Sequence, residues 1–298
     1  MPELPEVETI ARGVNERLRG DRIVEVWFGS HKEPFKNSPA QQARGLEGRI
    51  VLAVHRSGKH IVCELGTAAP TSLRTLKKRH ANSRKNDSAT HDSTVSGAQW
   101  VVHLGMTGRL LVTTPETPVP PHTHARLTLA SGSELRFVDP RRFGRLEFLD
   151  LKRGGGFKRP GAEPLTIDQA GFAALFHGRK LAIKAALLNQ SLLAGVGNIY
   201  ADESLFRSGI RPRRQAGRLT RAELERLRLA LLDVLEHAIQ LGGSSVSDYV
   251  DAAGVRGFFQ LEHCVYLRTG EPCRRCSTPI RRIVLAGRGT HYCPSCQR

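Results

Sequence analysis

No stretch of this 298-residue sequence approaches the roughly 18–20 consecutive apolar residues that cross a membrane. The N-terminus, Met-Pro-Glu-Leu-Pro-Glu-Val-Glu, lacks the basic start and apolar run of a secretion signal. An intracellular, cytoplasmic location without membrane contact is the expectation. Cysteines are few, and four of the six crowd the C-terminal end in two close pairs. Cys63 and Cys264 stand alone and read as small buried apolar residues. A metal site is therefore preferred over a disulfide framework. Acidic residues are scarce too: 28 Asp and Glu against 45 Lys and Arg, for a formal charge of +17 and a pI near 10.3. Such a surplus suits a polyanion, most commonly nucleic acid, although charge alone leaves open a basic protein with no such partner. Hydrophobic residues make up 40%, enough for ordinary cores and against wholesale disorder. The length suggests about two domains.

Along the chain, residues 3–19 read as a helix: Pro5 suits a first turn, Val7, Ile10, Val14 and Leu18 recur at spacings of three and four, and Gly20 supplies a stop. Eight β-like runs follow, at 22–28, 49–54, 60–65, 100–104, 110–114, 125–129, 134–138 and 145–149, with hairpin turns at Ser57-Gly58 and Ser131-Gly132-Ser133. Short strands with turn signals suggest a β-sandwich beside the opening helix. Residues 67–98, rich in Ser, Thr, Asn, His, Lys and Arg, read as a disordered basic insertion between two strands. From about residue 164 the period becomes helical. Thr166 is the expected cap of a helix to Phe176, and 180–189 forms a second. The Thr220/Glu223 capping-box pattern opens a long amphipathic helix ending at Gly242-Gly243.

The strongest isolated motif is Cys273-x2-Cys276, sixteen residues, then Cys293-x2-Cys296. Four thiolates in two close pairs suit one tetrahedral zinc, and a closed four-sulfur site is structural. The connecting segment can form a hairpin, with Arg288 presented outward from a Gly287-Arg288-Gly289 turn. Between two helical segments, Gly195 and Gly197 would let backbone amides approach a phosphate, with Asn198 donating beside them; a plain helix–helix turn is the other reading. At the N-terminus, removal of Met1 would free Pro2 as a secondary amine, a class with a reference pKa of about 7.7–8.0. Such an amine can attack a sugar C1′ to form an iminium ion. Glu3 and Glu6, one helical turn apart, are either its general acid and base or acids that complement the helix dipole.

Together these residues resemble the formamidopyrimidine-DNA glycosylase and endonuclease VIII family. The resemblance rests on residues 1–9, Gly58-Lys59, His103–Gly108, Asp139–Gly144, Gly195–Ala201 and the four cysteines. Leu4 and the segment 248–260 resemble the formamidopyrimidine branch and its lesion-recognition loop. The resemblance implies Pro2 as nucleophile and Glu3 as proton donor. It implies that Lys59 binds phosphate beside the lesion. It implies further backbone contacts from His103, Lys184, Asn198, Tyr266 and Arg288, and a gap-filling trio of Met106, Arg141 and Phe143, with Arg141 facing the orphaned cytosine. Glu6 and Glu203 match acids near the lesion, and 195–211 resembles a helix–two-turn–helix element. The sequence departs from the pattern in the long 67–98 insertion, in Leu267 where glycine is common and in Phe258 where tyrosine is common.

The expected architecture is α+β and multidomain. Residues 1–160 form a catalytic helix with a β-sandwich, 161–262 a helical helix–two-turn–helix domain, and 263–298 a zinc-finger β-hairpin. The expected activity is excision of oxidised purines from damaged double-stranded DNA by a monomer, through a Schiff base with β- and δ-elimination, with one structural zinc as the only cofactor. An endonuclease VIII-like enzyme for oxidised pyrimidines and a noncatalytic DNA-binding zinc protein are the alternatives.

Overall fold

The computed structural model describes residues 1–31, 34–67, 96–246 and 249–298. Most of the stretch read as a disordered insertion, residues 68–95, lies outside the described residues.

Helix α1 (Leu4–Leu18) buries the predicted stripe: Val7, Ile10, Val14 and Leu18 are all at most 1% exposed. Full burial of each such side chain contributes about 1.5–3 kcal/mol. The stripe packs on two four-stranded antiparallel sheets. One has the order β1 (Ile23–Phe28), β6 (Thr123–Leu129), β7 (Glu134–Val138), β5 (Arg109–Thr113). The other runs β2 (Ile50–Ser57), β3 (His60–Gly66), β4 (Ala98–His103), β8 (Arg145–Asp150). All eight strand readings are realised within a few residues. A short helix, α2 (Pro39–Leu46), was not anticipated; Ser38 caps it by accepting from Gln41 N at 3.2 Å, and Pro39 opens it.

The helical half comprises α3 (Gln169–Phe176), α4 (Ile183–Leu188), α5 (Asn198–Arg207) and α6 (Arg221–Gln240). Asp168, not Thr166, caps α3, its carboxylate accepting from Gly171 N at 2.7 Å. The Thr220/Glu223 capping box forms as expected. A hairpin of β9 (Arg281–Leu285) and β10 (Arg288–Tyr292) ends the chain. Its turn is Ala286-Gly287, with φ of 48° and 71°, and Arg288 pairs with Leu285. Arg288 is thus the first strand residue rather than the centre of the turn, and it is exposed.

The two halves exchange residues across their seam. Leu4, at the start of α1, belongs to the core of the helical half, whereas Tyr249 and Ala252 enter the core of the sandwich. A backbone bond from Val112 N to Ala252 O, 2.9 Å, secures the second crossing. No helix among the described residues is long and apolar enough to cross a membrane.

Candidate active site

The seam places the first residues of α1 against the N-terminus of α5. Leu4 N donates to Gly195 O at 3.0 Å, and Glu3 Oε1 accepts from Ile199 N at 3.2 Å. A carboxylate thus occupies the anion position at a helix N-terminus. The glycines earlier considered for phosphate approach serve this docking. A Cβ at Gly197 would lie 2.2 Å from the Glu3 carboxyl carbon, and one at Gly195, with φ of +90°, 3.0 Å from Leu4.

Pro2 and Glu3 are both buried. Burial raises the Glu3 pKa to about 7, against the opposing pull of Lys59 and the amides of α5; the Glu6 charge raises it further. Glu3 Oε2 is buried without a hydrogen-bond partner. This is the carboxyl oxygen available to hold a proton.

Glu6 ties three segments together. Its carboxylate accepts from Glu3 N at 2.8 Å, from Ser244 N at 2.7 Å and from the Tyr200 hydroxyl. Burial raises its pKa against these donors, and raises that of Tyr200 as well. Tyr200 stood in the quoted 195–201 motif without a role of its own, and Ser244 was not singled out in the sequence.

Lys59 sits just past Gly58 in the β2–β3 turn, where Gly58 takes φ of +62°. Burial lowers the Lys59 pKa, partly countered by the Glu3 and Glu6 charges, while Arg288 lowers it further. Lys59, Arg288 and the α1 acids therefore share one site. Asn198 Nδ2 donates to Gly289 O at 3.0 Å, next to Arg288. The Tyr266 ring packs edge-on against His291, with centroids 5.1 Å apart, and its hydroxyl meets the Asn198 amide.

His103 faces a pocket shared with Lys36, His60 and Arg145. Burial, then the charges around it, lower its pKa to about 4, so the ring is neutral at neutral pH. Its Nδ1 accepts from Gly105 N at 3.2 Å, which leaves the proton on Nε2 as a donor.

Met106, Arg141 and Phe143 occupy two adjoining loops and are all exposed. The Arg141 guanidinium lies 4.8 Å from the Phe143 ring centroid. Buried Asp139 joins the loops, accepting from Thr107 Oγ1 at 2.6 Å, Arg141 N at 3.3 Å and Gly144 N at 2.8 Å. Asp139 stood in the quoted motif, but the sequence offered no sign of this bridging role.

Two further predicted site residues are buried and engaged by the hairpin and the finger. Lys184 is 0% exposed, and its ammonium is engaged by Gly289 O at 3.0 Å, Thr290 Oγ1 at 2.8 Å and Asp202 Oδ1 at 2.7 Å. An ammonium has three donors. In this arrangement Lys184 supports the hairpin, its three donors directed at Gly289, Thr290 and Asp202. Glu203 is also 0% exposed and accepts from the amides of Cys264, Val265 and Tyr266 at 2.8–3.0 Å. It clasps the entry to the finger.

In the finger, the four Sγ atoms of Cys273, Cys276, Cys293 and Cys296 lie within 4.8 Å of one another, with close pairs at 3.4, 3.5 and 3.9 Å. Zinc–sulfur bonds of about 2.3 Å in a tetrahedron space the sulfurs roughly 3.8 Å apart. The donor set and spacing fit one structural zinc ion.

Three family models cover most of the chain. "Formamidopyrimidine-DNA glycosylase N-terminal domain" matches residues 1–146, "Formamidopyrimidine-DNA glycosylase H2TH domain" 160–250, and "Zinc finger found in FPG and IleRS" 270–298. The formamidopyrimidine-DNA glycosylase of Solibacter usitatus is 42% identical over 300 residues, covering 100% of both chains. This chain belongs to the formamidopyrimidine-DNA glycosylase family. The namesake from Gloeobacter violaceus is 41% identical, over 100% of this chain and 98% of its own. The crystal structure of the MutM (FPG) protein from Thermus thermophilus aligns with a TM-score of 0.78 at 38% identity, covering 99% of this chain and 98% of that one. A Lactococcus lactis FPG mutant in complex with Fapy-dG-containing DNA aligns at 0.81 and 30%, covering 100% of both. The α+β architecture with a helical domain and a zinc finger is that of the family.

Proposed function

We propose that the chain is a bifunctional DNA glycosylase and abasic-site lyase that excises oxidised purines, 8-oxoguanine and formamidopyrimidines, from duplex DNA. The observation that carries this reading is Glu3: a buried carboxyl with a pKa near 7, adjacent to Pro2 and beside the Lys59 cation. Family relatives solved with Fapy-dG-containing DNA and with carbocyclic 8-oxo-G-containing DNA support the substrate class. The chemistry needs a free Pro2 amine, hence a chain without Met1.

Pro2 N attacks C1′, the bond to the damaged base breaks and the base leaves carrying a proton. Glu3 delivers a proton to the ring oxygen as the sugar opens to an iminium. That electron sink acidifies the C2′ proton, whose loss expels the 3′ phosphate; δ-elimination then expels the 5′ phosphate, and water hydrolyses the remaining iminium to an unsaturated aldehyde, freeing the Pro2 amine. Lys59, His103, Asn198, Tyr266 and Arg288 hold backbone phosphates. Met106, Arg141 and Phe143 fill the space left by the flipped base, offsetting an unstacking cost of a few kcal/mol. Residues 1–160, 161–262 and 263–298 act as catalytic, helical DNA-binding and finger units of a cytoplasmic, nucleoid-bound monomer.

Borohydride reduction on a duplex with 8-oxoguanine opposite cytosine tests this. A covalent adduct mapping to Pro2 by mass spectrometry is the expected result. A crosslink at an internal lysine, with full activity retained after the N-terminus is blocked, refutes the mechanism. Faster removal of thymine glycol than of 8-oxoguanine refutes the purine preference in favour of oxidised pyrimidines.

A further inference from the structure

The Lys184–Asp202 ion pair, 2.7 Å long, has both side chains 0% exposed. A buried pair is a weak source of net stability, because desolvation offsets the attraction. Its placement has a different consequence. Asp202 follows Asn198 by one turn of α5, so the two side chains share a helix face. Asn198 Nδ2 donates to Gly289 O at 3.0 Å. Asp202 Oδ2 accepts from His291 N at 2.8 Å and lies 3.1 Å from His291 Nδ1. Two side chains of one helical turn thus hold two backbone groups, at alternate residues, along one edge of β10.

Lys184 closes the clamp from α4 through Gly289 O and Thr290 Oγ1. The strand so held begins with Arg288. The turn before Arg288 is open: a Cβ on Gly287 would meet nothing within 4 Å. The position of the Arg288 guanidinium therefore depends on what grips residues 289–291.

We infer that Asp202 is a positioning residue: by pinning β10 to α5 and compensating the Lys184 ammonium, it sets where Arg288 meets a DNA phosphate. The inference rests on the proposed phosphate contact of Arg288. Without the Asp202 charge, the Lys184 ammonium must draw water or another acceptor into a dry site, and β10 moves off α5.

The test is binding of the full-length, zinc-loaded protein to a duplex with an uncleavable tetrahydrofuran abasic analogue, titrated across salt concentrations. Asp202→Asn is expected to weaken binding about tenfold. It should lower the slope of log K against log salt by about 0.9, as loss of one phosphate contact does. Arg288→Ala should do the same. The double variant should be no weaker than Arg288→Ala alone, because the two changes remove one interaction. Each variant must hold one zinc per chain.

If Asp202→Asn does not fold, the charge-neutral pair Asp202→Asn with Lys184→Met carries the same comparison. A purely structural role for Asp202 would leave the slope unmoved. Additive losses with Arg288→Ala, or wild-type affinity and slope without Asp202, overturn the inference while the Arg288 contact stands. Wild-type binding by Arg288→Ala overturns the phosphate reading and the inference together.

Discussion

Glu3 owes its proton to being buried at the seam, where desolvation outweighs both Lys59 and the amides of α5. Its pKa is raised to about 7, so the acid form prevails below that pH and is lost as pH rises through it. The single-turnover rate of base excision should therefore fall on the alkaline side of about pH 7. Glu3→Gln should abolish that limb and lower excision about 100-fold or more, within the range ascribed to one general acid, while cleavage of a pre-formed abasic site survives better. An unchanged alkaline limb in Glu3→Gln would assign it to another group.

At Leu267 the departure from glycine has a local cost. Leu267 takes φ of +60° and is 56% exposed, so it holds a left-handed conformation and gains little from burial. Leu267→Gly relieves the strain but adds unfolded-state entropy. The expected balance is a gain of about 0.5 kcal/mol, measurable by denaturant unfolding; a loss of stability would show that the side chain packs more usefully than its exposure suggests.

Among the elements, the two loops carrying Met106, Arg141 and Phe143 run between strands that pair at both ends, His103 with Arg145 and Arg109 with Val138. Between those pairings Asp139 joins the loops, with three donors from the two loops on one buried carboxylate. Asp139→Asn replaces one acceptor oxygen by a donor facing other donors, at a cost of about 1–3 kcal/mol. Excision from duplex DNA should fall several-fold. Cleavage of a single-stranded abasic site, where no base gap needs filling, should fall much less. Equal losses on the two substrates would separate Asp139 from gap filling. The segment after α6 is organised the same way. Ser245 Oγ bridges Tyr249 O at 2.9 Å and Gly257 N at 2.9 Å, and Gln260 Oε1 accepts from Ser245 N at 2.8 Å. These bonds close the base of the loop expected to recognise the lesion.

At the scale of the whole molecule, the two halves are joined by exchanged core residues and by ion pairs. Arg56, 4% exposed at its side chain, binds Glu8 of α1 at 2.8 Å and Glu163 of the helical half at 2.7 Å. The finger relies on its metal and on the clasps of Glu203 and Asp202. Cys273→Ser, or chelation of the zinc, should abolish specific DNA binding and leave the sandwich folded, since its core contains no finger residue. Metal analysis with binding assays checks this; a metal-free preparation that binds and cleaves normally would exclude the structural role.

By itself the sequence determined whatever depends on local periodicity and spacing. The eight strands, the α1 stripe and the α6 capping box follow from side-chain alternation and capping chemistry between near neighbours. The four cysteines declare a tetrahedral site because two close pairs of thiolates have few other uses. Pro2, Glu3, Lys59 and Arg288 were legible as site residues only through their motifs. What they do to one another required the seam, where residues 3, 59, 199 and 288 come together across the chain. Only the tertiary structure decided that Gly197 makes room for a carboxylate, that Lys184 faces inward, and that Glu203 clasps the finger. Burial and long-range hydrogen bonding set those outcomes, and a lysine or glutamate on a helix carries no mark in the sequence of which way it will face.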